Sequence, residues 1–299
     1  VAVAQGVAEQ VAEAAEQVRA TTVFTTHTPV PAGNDVFPNS LIEKYLHRYW
    51  GLLGLSADSF LKLGNLAPDN ANFNMTVLGL GMAHHRNGVS QLHGEVCRHM
   101  WNCLWPGSEV NDVPISTVTN GIHVPTWVAP QMARLYEKHL GSDWLLRHDD
   151  SALWRRVEDI PDEEIWAVRR WLRQKLVSAL QDRARRRWEE RHGAPLHALA
   201  AGALLDAEAL TIGFSRRFTD YKRAALILHD IDRLKRILRN QLRPVQIVFS
   251  GKAHPNDHNG KRLIQEICNL AKDPEFGGRI AFVEDYDLNT AHYLVQGVD

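Results

Sequence analysis

Four cationic side chains, Arg216, Arg217, Lys222 and Arg223, fall within eight residues, just after the short apolar run Ala209-Leu-Thr-Ile-Gly-Phe214. Such a group can hold a small dense anion such as phosphate, because guanidinium and ammonium groups offer directed donors and full charge. The apolar run has the length and composition of a parallel strand buried in a sheet. Gly213 lets another backbone approach it closely. The pattern predicts a tight turn after this strand and a helix starting near Tyr221. A helix N-terminus carries unpaired N–H groups and partial positive charge, so it would add to an anion site. Cations placed there oppose the dipole and do not serve helix stability. The competing reading is a set of solvated surface charges.

Two further loops carry groups able to bind a sugar. The run Thr119-Asn-Gly-Ile-His-Val-Pro-Thr-Trp127 follows a strand-like segment at 114–119, rich in Ile, Val and Thr. Asn120 offers an amide to a hydroxyl, and Trp127 offers a ring face. A turn Asn and a packed Trp account for the same residues. His27 opens the loop His27-Thr-Pro-Val-Pro-Ala-Gly-Asn-Asp35 after a strand-like run at 21–26. Loops at the carboxyl ends of parallel strands are where α/β proteins bind ligands, which sets His27 apart from an ordinary loop histidine. His84, His85, His93 and His99 lie close in sequence, but their spacings match no strong zinc motif.

The elements that must position these residues follow from periodicity. Val7, Val11, Ala14, Ala15 and Val18 have helical spacing, as do Leu41, Tyr45, Leu46, Tyr49 and Leu53. Asn87-Gly88 reads as a break, followed by a helix with Val89, Leu92, Val96 and Met100 on one face. A long helix starts at Pro161, with Asp162, Glu163 and Glu164 suited to its positive end. It carries Ile165, Val168, Leu172, Leu176 and Leu180 on one stripe and stops at His192-Gly-Ala-Pro195. Its basic run, Arg183, Arg185, Arg186 and Arg187, reads as a solvated face. From residue 204 the pattern is β-α-β-α-β-α, with strands at 209–214, 245–249 and 279–283. Helices at 221–238, 260–270 and 288–295 alternate with them, the first turning Leu226, Ile227, Ile231, Leu234 and Leu238 inward. This is half of a doubly wound parallel sheet, whose loops after the strands should converge on one ligand face.

The 299 residues are 44% hydrophobic and 23% charged, as in a soluble globular protein. A formal net charge of −1 provides no global field toward nucleic acid or anionic membrane. The basic run also lacks the aromatic interleaving of a nucleic-acid surface. Cys97, Cys103 and Cys268 are too few and too irregular for a disulfide framework, which predicts a reducing compartment. No stretch has the length and apolarity of a membrane span, and the Ala- and Glu-rich start is unlike a signal peptide. The chain opens without Met and stops at Gln296-Gly-Val-Asp299, between elements. It is expected to be the middle of a longer protein.

Six ordered segments resemble the α-glucan phosphorylases, a family that includes glycogen, starch and maltodextrin phosphorylases. They are Thr25-Thr-His-Thr-Pro29 through Phe37, His84-His-Arg-Asn-Gly-Val-Ser-Gln-Leu-His-Gly-Glu95, Thr119-Asn-Gly121 through Trp127, Arg217-Phe-Thr-Asp-Tyr-Lys222, Ser250-Gly-Lys-Ala-His-Pro255 and Phe282-Val-Glu-Asp-Tyr286. The uninterrupted Thr-Pro-Val-Pro-Ala-Gly-Asn-Asp run is similar to the shorter, bacterial-type branch. The resemblance covers essentially the whole chain and implies an α/β GT-B glycosyltransferase fold with two Rossmann-like doubly wound domains. Residues 1–119 would be the end of the first domain and residues 120–299 the start of the second, with a helical crossover at about 130–200.

The resemblance implies phosphorolysis of terminal α-1,4-glucosyl bonds, with retention, to glucose 1-phosphate. Its implied cofactor is pyridoxal phosphate, acting through its phosphate as proton donor and acceptor. Arg217 and Lys222 match residues that hold substrate phosphate, and two phosphates need cations to offset their repulsion. Arg216 matches a basic residue facing the cofactor phosphate, and Trp127 and Tyr286 match aromatic residues around the cofactor. His84 matches a histidine whose main-chain carbonyl supports positive charge on the sugar, with its side chain on a hydroxyl. Asn120 matches a glucose-binding asparagine, and His27 a histidine at the site entrance. Asp287 departs from the family pattern, standing where longer members have an arginine. The Schiff-base lysine belongs in a Gly-rich segment ending Met-Lys after the last residue of this chain. The chain alone is therefore expected to be inactive and to bind pyridoxal phosphate weakly or not at all. Implied partners are α-1,4-glucan and inorganic phosphate, without nucleic acid or membrane, in the cytoplasm. Homo-oligomerisation of the complete protein stays open. The alternatives are a nucleotide-sugar glycosyltransferase of the same fold and a catalytically dead glucan-binding protein.

Overall fold

The computed structural model describes residues 2–27, 29–30, 33–66, 71–191 and 195–299. Thr28, Pro31 and Ala32 of the His27 loop, and the helix stop at His192-Gly-Ala194, lie outside the described residues. The chain divides into two compact units, Val1–Ile122 and His123–Asp299.

The first unit opens with α1 (Ala2–Thr21) and β1 (Val23–Thr25). An antiparallel pair, β2 (Val36–Pro38) and β3 (Asn72–Asn74), brackets α2 (Asn39–Leu52) and α3 (Ala57–Leu61). Asn74 starts α4 (Met75–Gly81) by accepting from the N–H groups of Thr76 and Val77 at 2.8 and 3.3 Å. Then come β4 (His85–Gly88), α5 (Gln91–Trp101) and β5 (Ser116–Thr117). The sheet is parallel, in the order β1-β4-β5. Val77, Leu80, Cys97, Trp101, Val113 and Ile115 form its core.

Two expectations are corrected here. Asn87-Gly88 is not a break but the end of β4. Asn87 is buried, accepts from the Thr25 hydroxyl at 2.9 Å and donates to the Gly88 carbonyl at 3.1 Å, so its amide is satisfied inside the sheet. The inward face of α5 is also different. Leu92 is 70% exposed, whereas His93, Gly94, Cys97 and Trp101 are buried.

The second unit begins with α6 (Val124–Trp127), α7 (Pro130–Leu140), α8 (Ser151–Arg155), α9 (Asp162–Arg191) and α10 (Pro195–Ala200). Its sheet is β6 (Leu210–Ser215), β7 (Val245–Ser250) and β8 (Ile280–Val283), parallel and in that order. Three helices, α11 (Ile231–Leu238), α12 (His258–Lys272) and α13 (Leu288–Gly297), each follow one strand. Alternation along β7 and β8 divides the core. Ile247, Phe249, Ile280 and Phe282 meet Leu234, Leu238 and Ile267 on one face. Val248, Ala281 and Val283 meet Leu176, Val177 and Leu180 of α9, with Leu294, on the other. Arg173, also on α9, is 1% exposed and pairs with Asp299 at 2.9 Å. Asp299 in turn joins β6, its N–H donating to the Thr211 carbonyl and its carboxylate accepting from the Thr211 N–H, both at 2.9 Å. Leu210 and Ile212 are 47% and 40% exposed, against the expectation of a fully buried strand; among the described residues β6 has a paired strand on one side only.

Candidate functional site

In the second unit, three loops leave the carboxyl ends of the parallel strands. The first carries the cations. Phe218 is fully buried, with its ring 5.6 Å from Phe214 and 5.7 Å from Phe282, and anchors the loop while its neighbours Arg216 and Arg217 stay exposed. Its N–H donates to the Lys252 carbonyl at 3.0 Å, tying this loop to the one after β7. Two glycines make that approach possible. A Cβ on Gly251, at φ 150°, would overlap the Arg216 carbonyl oxygen, and one on Gly260 would overlap that of Phe218. Lys222 is half-buried, its Nζ 4.8 Å from the Tyr221 ring centroid. Among the described residues, Arg216, Arg217, Lys222 and Arg223 form no ion pair.

The helix expected from Tyr221 does not form there. Asp220–Lys222 and Ala224–Leu228 are short 3-10 turns, separated by Arg223 in the left-handed region at φ 57°. The α-helix begins only at Ile231, where the Asp230 carboxylate accepts from the Arg233 N–H at 2.9 Å. The cations therefore do not sit at an α-helix N-terminus, and the pull on an anion comes from their side chains. The break also leaves Leu226, expected inward, 66% exposed.

The loop after β8 is held from α9. Arg183 donates to the Glu284 carbonyl at 2.7 Å and to the Thr290 hydroxyl at 3.3 Å. Arg187 pairs with Glu284 at 2.8 Å and also with Asp285. The basic run is therefore a solvated face only at Arg185 and Arg186. The signal in the sequence was the four-residue spacing of Arg183 and Arg187, which puts both on one side of a helix. Asp285 has φ 53°, so both non-glycine residues with positive φ among the described residues, Arg223 and Asp285, lie in these loops. Tyr286 is half-buried against the Leu176 and Leu294 cluster. Asp287 caps α13, accepting from the Thr290 N–H at 2.7 Å. Its bonds from Thr290 hold the carboxyl below the usual range. Trp127 stands edge-on to His292 at 5.0 Å, and its carbonyl accepts from Gln296 at 3.4 Å, so α13 braces both Trp127 and the Tyr286 loop.

In the first unit, His27, Val89 and Asn120 lie in adjacent loops past the carboxyl ends of β1, β4 and β5. The Thr26 N–H donates to the Asn87 carbonyl at 3.0 Å, Val118 to Gly88 at 3.0 Å and Asn120 to Val89 at 3.1 Å. His27 and Asn120 are exposed. The structure does not bring His84 to them. It precedes β4, at the amino end of the sheet, where its N–H donates to the carbonyls of Arg19 and Thr22 at 2.9 and 3.1 Å. The length of β4, about 13 Å for four residues, separates it from the loops. His93, weighed above only as a metal ligand, is buried directly behind them. Its Nδ1 accepts from the Val89 N–H at 3.1 Å, and its Nε2 lies 3.3 Å from the Cys97 sulfur. No group of three or more His, Cys, Asp or Glu among the described residues could hold a metal ion.

The profile of the carbohydrate phosphorylase family matches residues 7–299. The chain belongs to that family. It is 46% identical over 288 residues to a glycogen phosphorylase of Aquifex aeolicus, covering 96% of this chain and 41% of the relative. A glycogen phosphorylase of Mycobacterium tuberculosis is 42% identical over 94% of this chain and 33% of its own length. A maltodextrin phosphorylase of Thermococcus litoralis is 41% identical over 96% of this chain and 33% of its own length. The chain thus spans less than half the length of the curated relatives it matches. Among the described residues, no helix is long and apolar enough to cross a membrane.

Proposed function

We propose that the intact protein cleaves terminal α-1,4-glucosyl bonds of a glycogen- or maltodextrin-type glucan with inorganic phosphate, releasing glucose 1-phosphate. The observation that carries this reading is the cluster of Arg216, Arg217 and Lys222 at the carboxyl end of β6, without a carboxylate partner among the described residues. Unpaired cations on a ligand face suit an anion, and in a member of the carbohydrate phosphorylase family phosphate is the anion this reading assigns to them. Arg217 offers a planar fork to two phosphate oxygens, and Lys222 a point charge that offsets repulsion as negative groups gather. In the reaction the bond from the sugar C1 to the glycosidic oxygen breaks and a bond from C1 to a phosphate oxygen forms. The shortened glucan keeps the glycosidic oxygen and gains the proton that inorganic phosphate loses.

Pyridoxal phosphate fits the residues of the second unit. Arg216 is exposed and unpaired, as a group for a phosphate should be, and Trp127 and Tyr286 offer ring surface braced by α13. When bound, the cofactor would supply a phosphate able to exchange a proton with substrate phosphate. On the glucan side, the reading uses the Asn120 amide and the His27 imidazole for sugar hydroxyls, and leaves out His84.

The test is formation of glucose 1-phosphate from maltoheptaose and inorganic phosphate by the intact protein. Arg217→Ala should lower kcat/KM for phosphate by about 10²- to 10³-fold, as when a charge-stabilising donor is lost. Because Arg217 is exposed and unpaired, the melting temperature should stay within about 2 °C. Glucan elongation from a nucleotide sugar, with no phosphate-dependent product, would overturn the proposal.

A further inference from the structure

We infer that His93 is a positioning residue that sets the three glucan-facing loops of the first unit, acting from behind through hydrogen bonds and never touching substrate. The inference rests on the reading in which Asn120 binds a glucosyl hydroxyl.

The geometry fixes what His93 can do. A backbone N–H can only donate, so the Nδ1 that receives the Val89 N–H at 3.1 Å must be unprotonated. The ring proton therefore sits on Nε2 and points at the Cys97 sulfur, 3.3 Å away. The His93 N–H is also fixed, donating to the Ser90 hydroxyl at 3.1 Å. Each contact leads to one of the loops. Val89 receives the Asn120 N–H on its carbonyl at 3.1 Å, so holding Val89 places Asn120. Cys97 meets the side chain of Thr26, the residue before His27. One buried ring thus stands one step from the loop after β4, and two steps from the loops after β1 and β5.

A buried Cys beside a His also suggests a nucleophile and its base. The proton inventory rules this out. His93 presents a donor to Cys97 and spends its acceptor on Val89, so it has no site to take the thiol proton. Cys97 is fully buried, and that burial pushes its thiol away from ionisation.

Two substitutions separate positioning from packing. Asn places its side-chain oxygen where Nδ1 was, so His93→Asn keeps an acceptor for Val89. His93→Phe fills the volume and removes the acceptor. Binding of maltoheptaose and of inorganic phosphate is measured by titration calorimetry on the intact protein. We expect His93→Phe to weaken maltoheptaose binding about tenfold, the effect of a lost buried hydrogen bond, with phosphate binding unchanged. His93→Asn should recover affinity to within about threefold of the parent. If His93→Phe does not fold, His93→Leu with the same readout takes its place. Equal maltoheptaose affinity in the parent and in the acceptor-less variant would overturn the inference, as would an equal loss in the Asn and acceptor-less variants. The underlying reading is tested separately. Asn120→Ala, in the exposed loop after β5, should itself lose maltoheptaose affinity. If it does not, that reading of Asn120 fails, whatever His93 does.

Discussion

The two units present loops from the carboxyl ends of parallel strands, but they hold those loops by opposite means. In the first unit the fixing groups are neutral and directional: the Asn87 amide, the His93 ring and a series of backbone bonds from Thr26, Val118 and Asn120. In the second they are glycine clearance and charge: Gly251 and Gly260 admit the Arg216 and Phe218 carbonyls, and Arg183 and Arg187 clamp the loop after β8. The difference suits the ligands proposed for each face. Hydroxyl recognition needs partners at fixed angles, so its supports are short hydrogen bonds. An anion site needs several like charges kept close, and these repel, so its backbone is held by close packing at glycine and by opposite charges drawn in from α9.

Breaking the backbone clearance in each unit tests that contrast most strongly. Gly251→Ala combines a forbidden φ with overlap on a carbonyl and should cost about 3 kcal/mol or more in urea unfolding. Gly88→Ala in the first unit meets the Gly94 nitrogen at 2.9 Å at an ordinary φ, and should cost about 1–2 kcal/mol. If the two cost the same, the second unit does not depend on glycine in the way described. A smaller effect is expected for Arg187→Ala. Its acidic partners are more than half exposed, so the ion pairs should contribute about 1 kcal/mol or less, with the loss shrinking as salt is added.

The smallest effect concerns acid. Asp287 has a carboxyl lowered chiefly by its bonds from Thr290, so its contribution is present above the ordinary carboxylate range and is lost as pH falls through the depressed value. Asp287→Asn keeps a capping acceptor but does not titrate there. Its unfolding curve should match the parent near neutral pH and fall less steeply toward acid. An identical acid limb in both proteins would assign the acid sensitivity to other groups.

Much of this was legible in the sequence, for physical reasons. The second sheet announced itself because its strands are short and apolar and its helices keep a clear period. The long α9 was equally plain, with Leu172, Leu176 and Leu180 all buried. The cation cluster stood out by composition alone. What could not be read was local. Nothing in Asp-Tyr-Lys-Arg marks a left-handed residue at Arg223, so the helix was placed ten residues early, and the Asp230 cap was not weighed against it. The Asn-Gly pair of β4 has turn composition, and the Thr25 hydroxyl that donates to Asn87 comes from another strand, out of reach of a local reading. His84 carried a motif match, but sequence adjacency to a strand does not say at which end of the sheet a residue lies.

The three cysteines turn the first unit into its own stopwatch. Cys103 is exposed, Cys268 is half-buried in the second unit and Cys97 is sealed behind the loop cluster. A thiol reagent added to the native protein will consume Cys103 at once, while Cys97 waits for the loops to part. The lag between those two modifications therefore clocks the opening of the first unit, with Cys268 timing the second in the same tube. Neither clock requires an introduced label.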